Sequence, residues 1–208
     1  MEVANGYTGK TGGNGWQACI SHTRKNWGAP PASLFQKEGV RATGLAQILT
    51  VSGTPKGSLY YYFPNGKAQL IEAAITYAGQ HILEHVQQDL DRYKAPDAAL
   101  AGQLESMATE MQEKGHLGGN SISLIALETG DDPELQAACS AVFTQLETLY
   151  IKKLTSAGIP PDRAQPLGQF IQASIEGAII LAATKDNPDL LRQTADQLTR
   201  LIKLALAA

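Results

Sequence analysis

The chain has 208 residues, 43% of them hydrophobic, a mean hydropathy of −0.16 and a formal charge of −3. These values describe an ordinary globular chain of one or two small domains. No apolar run approaches the ~20 residues of a membrane helix, and no apolar N-terminal stretch marks a secretory signal. Cys19 and Cys139 are the two cysteines and lie far apart. That pattern argues against a disulfide framework or a structural zinc site and suits a reducing cytoplasm.

The charge is unevenly spread. Residues 1–67 hold seven Lys and Arg against two Glu, a net +5, and residues 68–208 hold ten against eighteen acids, a net −8. A basic segment on an acidic body fits a protein that presents one face to phosphate.

In chain order, residues 1–31 read as irregular and disordered. Gly6, Gly9, Gly12, Gly13, Gly15 and Gly28, with Pro30 and Pro31, oppose any helix there. Gly9-Lys10-Thr11 has the ending of a phosphate-binding loop, but the earlier glycine that such a loop needs falls at Ala4, and no strand precedes it.

Residues 43–63, TGLAQILTVSGTPKGSLYYYF, read as two short helices and a tight turn. Ala46, Ile48 and Leu49 make an apolar face, with Thr43 placed to cap the first helix. Gly53 suits the turn, where a positive φ costs glycine little. Thr54 is expected to cap the second helix, with Pro55 as its first residue. Leu59 and Phe63, four apart, point inward as anchors, and Leu34 and Phe35 are expected to pack beneath them with Leu45 and Ile48. Two helices joined in this way form a helix-turn-helix, whose second helix enters the major groove.

Ser52-Gly53-x-x-x-Gly57-x-Leu59-Tyr60-x-Tyr62-Phe63 followed by Gly66-Lys67-x-x-Leu70 resembles the tetracycline-repressor (TetR) family of transcriptional regulators. The Pro-Lys-Gly-Ser variant in the second helix resembles its LmrA/YxaF-type subgroup. Tyr62 stands where the family commonly has histidine. Ala32-Ser33-Leu34-Phe35-Gln36-Lys37-Glu38-Gly39 keeps the end of the family's first helix, whereas Asn26-Trp27-Gly28-Ala29-Pro30-Pro31 replaces its earlier turns.

The resemblance implies that Thr43, Tyr60, Tyr62 and Lys67 hold the DNA backbone. Lys67 also opens a helix, a favourable place for an anion. Lys56, Gly57, Ser58 and Tyr61 lie at the start and outer face of the second helix, where side chains reach base edges.

Beyond Phe63, helices are predicted over residues 67–93, 97–114, 121–128, 133–156, 162–184 and 188–206, with a loop at 115–119 and no strand pattern. His116 and Asn120 flank that loop, where the subgroup often has a Gly-Cys-Pro-like segment and this chain has Gly119-Asn120-Ser121. Asp131-Asp132 precedes a helix start, where acidic residues complement the dipole. The last two helices carry broad apolar stripes. Phe170, Ile171, Ser174, Ile175 and Ala178 on one, and Leu191, Leu198, Leu201 and Ile202 on the other, are candidates for a four-helix bundle between two subunits. Leu104, Met107, Met111, Phe143, Leu146 and Phe170 either line an apolar effector cavity or are plain core.

His81-Ile82-Leu83-Glu84-His85 matches a zinc-peptidase pattern, H-x-x-E-H, without a legible third ligand. No nucleophile-base arrangement is legible, so no enzyme and no cofactor are expected. The reading is therefore an all-α protein with a helix-turn-helix DNA-binding domain at 32–67 and a helical effector-binding and dimerisation domain at 68–208. The resemblance implies a cytoplasmic, membrane-free homodimer that represses from a palindromic double-stranded operator and leaves it on binding a small apolar or amphipathic ligand. Two other readings stay open: a helical metal-binding protein or enzyme using His81, Glu84 and His85, and a dimerising remnant whose DNA-binding part fails to fold.

Overall fold

The computed structural model describes residues 31–53, 56–115 and 121–207, and among them every regular element is an α-helix. They are α1 (Pro31–Glu38), α2 (Leu45–Ser52), α3 (Lys56–Tyr62), α4 (Lys67–Asp91), α5 (Pro96–Lys114), α6 (Ser123–Glu128), α7 (Pro133–Ser156), α8 (Pro161–Lys185) and α9 (Asp189–Ala207). The expectations for residues 1–30, for Thr54 as a cap with Pro55 as the first helical residue, and for the loop with His116 and Asn120 lie outside the described residues.

Local chemistry sets most boundaries. Gly53 ends α2 at φ 62°, a left-handed turn that glycine adopts without strain. Pro96 and Asp97 open α5 and Gly115 closes it. Asp132 caps α7, its side chain accepting from the Glu134 and Leu135 amides at 3.1 and 3.2 Å.

The cap predicted at the start of α2 is different. Gly44 occupies that position and makes no side-chain hydrogen bond. Thr43 is instead fully buried, and its hydroxyl donates to the Gly39 carbonyl at 2.6 Å. Thr43 thus ties down the α1–α2 loop from within and presents no atom to a DNA backbone.

The core is one continuous cluster. Phe35, Ile48, Leu59 and Phe63 from the first three helices join Leu70 and Ile75 of α4, and through them the long helices. α4 packs on α7 and α5, α7 on α8, and α9 lies most extensively along α5. At two crossings a glycine makes room for a side chain of the facing helix: a Cβ on Gly79 would stand 2.5 Å from a Val142 methyl, and one on Gly168 would stand 2.5 Å from Ile151 Cγ1.

Two expectations about the last helices change. Ile171, Ile175, Ala178, Leu191, Leu198 and Ile202, named for a subunit seam, are buried inside the subunit's own core. Ser174 is half-buried, its hydroxyl donating to the Phe170 carbonyl. Phe170 and Leu201 alone of that set face outward. The reason is that both helices are apolar on two sides, and periodicity cannot tell which side looks inward. In addition, α8 is long and apolar enough to cross a membrane by length and composition. Its apolar residues are divided between the core side and an outer stripe, and Gln172 and Glu176 interrupt the run.

Candidate nucleic-acid interface

α3 is short and held by its underside. Leu59 is fully buried and Phe63 nearly so, which fixes the rotation of the helix and turns Lys56, Gly57, Tyr60 and Tyr61 outward. Tyr60 is 45% and Tyr61 80% exposed, a large aromatic area to leave in water. Gly57 is the more telling residue. A helical glycine costs about 1 kcal/mol against alanine, and nothing among the described residues lies within 4 Å of the Cβ that it lacks. Packing among the described residues gains nothing from that glycine, whereas a body that approaches α3 closely does. Ser58 and Tyr62 lie on α3 as predicted, and their side chains are outside the described set.

Lys67 is half-buried at the start of α4, and its Nζ donates to the Val40 carbonyl at 2.7 Å. One of its three donors thus anchors the α1–α2 loop, which sequence reasoning did not foresee. An ammonium has three donors, and a helix N-terminus is a favourable place for an anion.

A shallow cleft lies between α4, α5, α7 and α8, with about 30 Å³ of enclosed space. Of the six residues expected to line a cavity, Met107 and Leu146 do so. Leu104 and Met111 are buried in the core, Phe143 is half-buried against it, and Phe170 is on the outer surface. The polar lining was missed. Gln103 (3% exposed) donates through Nε2 to the Tyr150 hydroxyl at 2.9 Å, and Gln172 (5% exposed) donates to Glu176 Oε1 at 2.8 Å. The Oε1 atoms of both glutamines are buried without a hydrogen-bond partner. Burial holds the Tyr150 phenol well above its ordinary pKa, so it stays protonated and can donate. Asp89, also at the cleft, pairs with Arg92 at 3.1 Å. A faint signal was present: Gln103 and Gln172 each interrupt an apolar helical stripe.

The histidines of the motif each face a partner on their own helix. His81 stacks edge-on with Tyr77 at 4.4 Å, His85 faces Asp89 at 3.8 Å, and no group of three metal-ligating side chains converges among the described residues.

Comparison with known proteins matches two family descriptions. Residues 32–74 match "Bacterial regulatory proteins, tetR family", and residues 96–197 match "Transcriptional regulator LmrA/YxaF-like, C-terminal domain". The chain is 38% identical over 172 residues to the HTH-type transcriptional regulator YxaF of Bacillus subtilis, covering 82% of this chain and 90% of that one. It is 32% identical over 171 residues to the HTH-type transcriptional regulator LmrA of the same organism, covering 82% and 91%. Among solved structures, the fold is similar to a TetR transcriptional regulator from Chloroflexus aurantiacus (TM-score 0.73, 24% identity, 88% and 95% covered). It is also similar to the regulatory protein TetR from Rhodobacter sphaeroides (TM-score 0.75, 22% identity, 86% and 97% covered).

Proposed function

Because the chain belongs to the TetR family, in its LmrA/YxaF-like branch, and is a DNA-binding transcriptional regulator and not an enzyme, we propose that it is a cytoplasmic homodimeric repressor that leaves its palindromic operator when a small apolar or amphipathic ligand occupies the cleft. The observation that carries the DNA half is the outer face of α3. Lys56, Gly57 and Tyr61 are exposed together on a helix whose other side is locked by Leu59 and Phe63. The buried cores of α1–α3 also speak against a remnant that cannot fold its DNA-binding part.

Selection of duplexes from random sequence by the purified protein should yield a palindrome. On that duplex Lys56→Ala is expected to relax the preference at one base pair in each half-site, at a cost of roughly 1–3 kcal/mol, as for loss of a guanine contact. Lys67→Ala is expected to weaken all sequences alike and to reduce the slope of log K against log salt by about one. A uniform loss for Lys56→Ala would move that residue to the phosphates, and an unchanged salt slope would remove Lys67 from them.

Dimerisation finds its support in the outer stripe of the last two helices. Phe170, Ala173, Gly177, Ile180 and Leu181 line one face of α8, and Leu201 and Leu204 continue it on α9. Gly177 has open space above it. A second copy packed there would cover this apolar area and use the glycine for close helix approach.

The effector half rests on the cleft. A ligand can release DNA only by the difference in its affinity for the released and bound conformations. Met107→Trp should fill the cleft with an indole while leaving α3 untouched. A panel of amphipathic compounds screened by thermal unfolding should contain some that stabilise wild type, by about 2.7 kcal/mol when free ligand is about a hundred times Kd. The same compounds should neither stabilise Met107→Trp nor release it from DNA. Compounds that act equally on both proteins would place the effector elsewhere.

A further inference from the structure

The hydrogen bonds of Glu176 run in two directions. Toward the cleft, its Oε1 accepts from Gln172. Toward the start of α6, its Oε2 accepts from the hydroxyls of Ser121 and Ser123, each at 2.6 Å. The Ser121 hydroxyl also accepts from the Ser123 amide at 2.9 Å, which closes a tight turn around the carboxylate.

The same segment holds the DNA-binding domain at both ends. At its start, Gln36 Nε2 of α1 donates to the Ser121 carbonyl at 3.2 Å. At its end, Glu128 Oε2 accepts from the Arg41 amide at 3.0 Å, and its carboxylate fills the space where a Cβ on Gly39 would stand. Ile122 and Ile125 are buried between these ends, so the segment is seated as a rigid piece. One carboxylate therefore belongs both to the cleft wall and to the segment that carries α1.

We propose that Glu176 is the positioning residue through which occupancy of the cleft unseats α1, and that the effector is a non-anionic molecule bearing hydrogen-bond donors. The cleft selects such a molecule by its unmatched groups. Gln103 Oε1 and Gln172 Oε1 are buried acceptors that lack a donor, and a group that satisfies them recovers a desolvation cost already incurred. Asp89 and Glu110 line the cleft already paired with Arg92 and Lys114, so Glu176 is the carboxylate that an entering group meets, and no Lys or Arg lines the cleft among the described residues to receive a carboxylate or phosphate. A donor that settles on Gln172 Oε1 and Glu176 Oε1 draws the carboxylate toward the cleft and away from the serine hydroxyls held on Oε2. Its gain is largest when Ser121 and Ser123 let go, which is the differential affinity that release requires.

The test needs no ligand. Wild type, Glu176→Ala and Glu176→Gln are compared for affinity to the selected duplex by fluorescence anisotropy, and for amide exchange in the free proteins. Glu176→Ala removes both serine contacts. It is expected to weaken DNA binding about tenfold, within the usual range of coupling between sites, and to quicken exchange over residues 32–48 while residues 161–205 keep theirs. Glu176→Gln keeps an oxygen for the serines, and after a turn of the Gln172 amide it can donate to Gln172 Oε1. Its affinity is expected within about threefold of wild type, because a neutral acceptor forms the weaker but still sufficient bond. Wild-type affinity and exchange in Glu176→Ala would overturn the proposal. So would equal losses in both variants with faster exchange over 161–205, which would make Glu176 merely a part of the core. The proposal rests on reading the cleft as the effector site, and the two fail separately. An inert cleft shows as compounds that do not distinguish wild type from Met107→Trp, and an inert relay shows in Glu176→Ala.

Discussion

Replacing Phe170 and Leu181 together by aspartate is expected to turn the protein into a monomer that keeps its helices and loses its operator. The two side chains are 52% and 48% exposed within one subunit, so their new charges stay hydrated there and cost the fold little. In a dimer the same four carboxylates would be driven into an apolar seam, unpaired and close to one another, where desolvation and repulsion both oppose association. A palindrome is read by two recognition helices about one DNA turn, ~34–36 Å, apart. A monomer engages one half-site and forfeits the linked second contact, so affinity should fall by roughly 10² or more. Sedimentation at micromolar concentration, circular dichroism and anisotropy on the selected duplex check the three parts. A double variant that sediments with the wild-type mass would remove the stripe from the interface, and a wild type that sediments as a monomer would remove the dimer. Ile175→Asp is the instructive contrast. Ile175 is buried within the subunit, so its aspartate should disrupt folding rather than assembly.

Phe35→Ala is expected to melt the DNA-binding domain while the long helices persist. Phe35 is fully buried on α1 and belongs to the cluster that contains Ile48 and Leu59. Deleting a buried phenyl ring costs about 3–5 kcal/mol through lost burial and the cavity left behind. That is a large share of the margin of a small three-helix unit, whose core has few other large side chains to close the gap. Hydrogen exchange should show residues 32–63 unprotected and residues 161–205 as in wild type, with operator binding lost. Lys56→Ala is the control: it removes an exposed side chain on α3, so exchange should not change while DNA affinity falls. Wild-type exchange across α1–α3 in Phe35→Ala would show that this core draws its stability from α4 and α6 instead.

The fold was legible where the signal is local. Gly53, Pro96, Gly115 and Asp132 mark helix ends by backbone chemistry that acts within a few residues, and the structure uses each of them there. The anchors Leu59 and Phe63 were legible because a short amphipathic helix has one apolar side and therefore one way to face. Thr43 was misjudged for a related reason. A threonine before a helix is a good cap by type, but the neighbouring Gly44 took that position, and the Gly39 carbonyl, set by a loop with φ 82°, drew the hydroxyl inward.

By itself the sequence determined that the chain is helical, where most of its helices lie, and that it carries a helix-turn-helix of TetR type, because these depend on spacing and on residue types that act at short range. The tertiary structure decided the rest. It chose which side of the doubly apolar α8 and α9 became core, leaving Phe170, Ile180 and Leu181 outside and Ile175 and Leu198 within. It turned Lys67 toward Val40, and it brought Gln103, Tyr150, Gln172 and Glu176 from three helices into one cleft. Those outcomes depend on contacts between residues far apart in the chain, such as Gln103 with Tyr150 and Ser121 with Glu176. Helical periodicity describes one helix at a time, and each of those pairs exists only once two helices have packed.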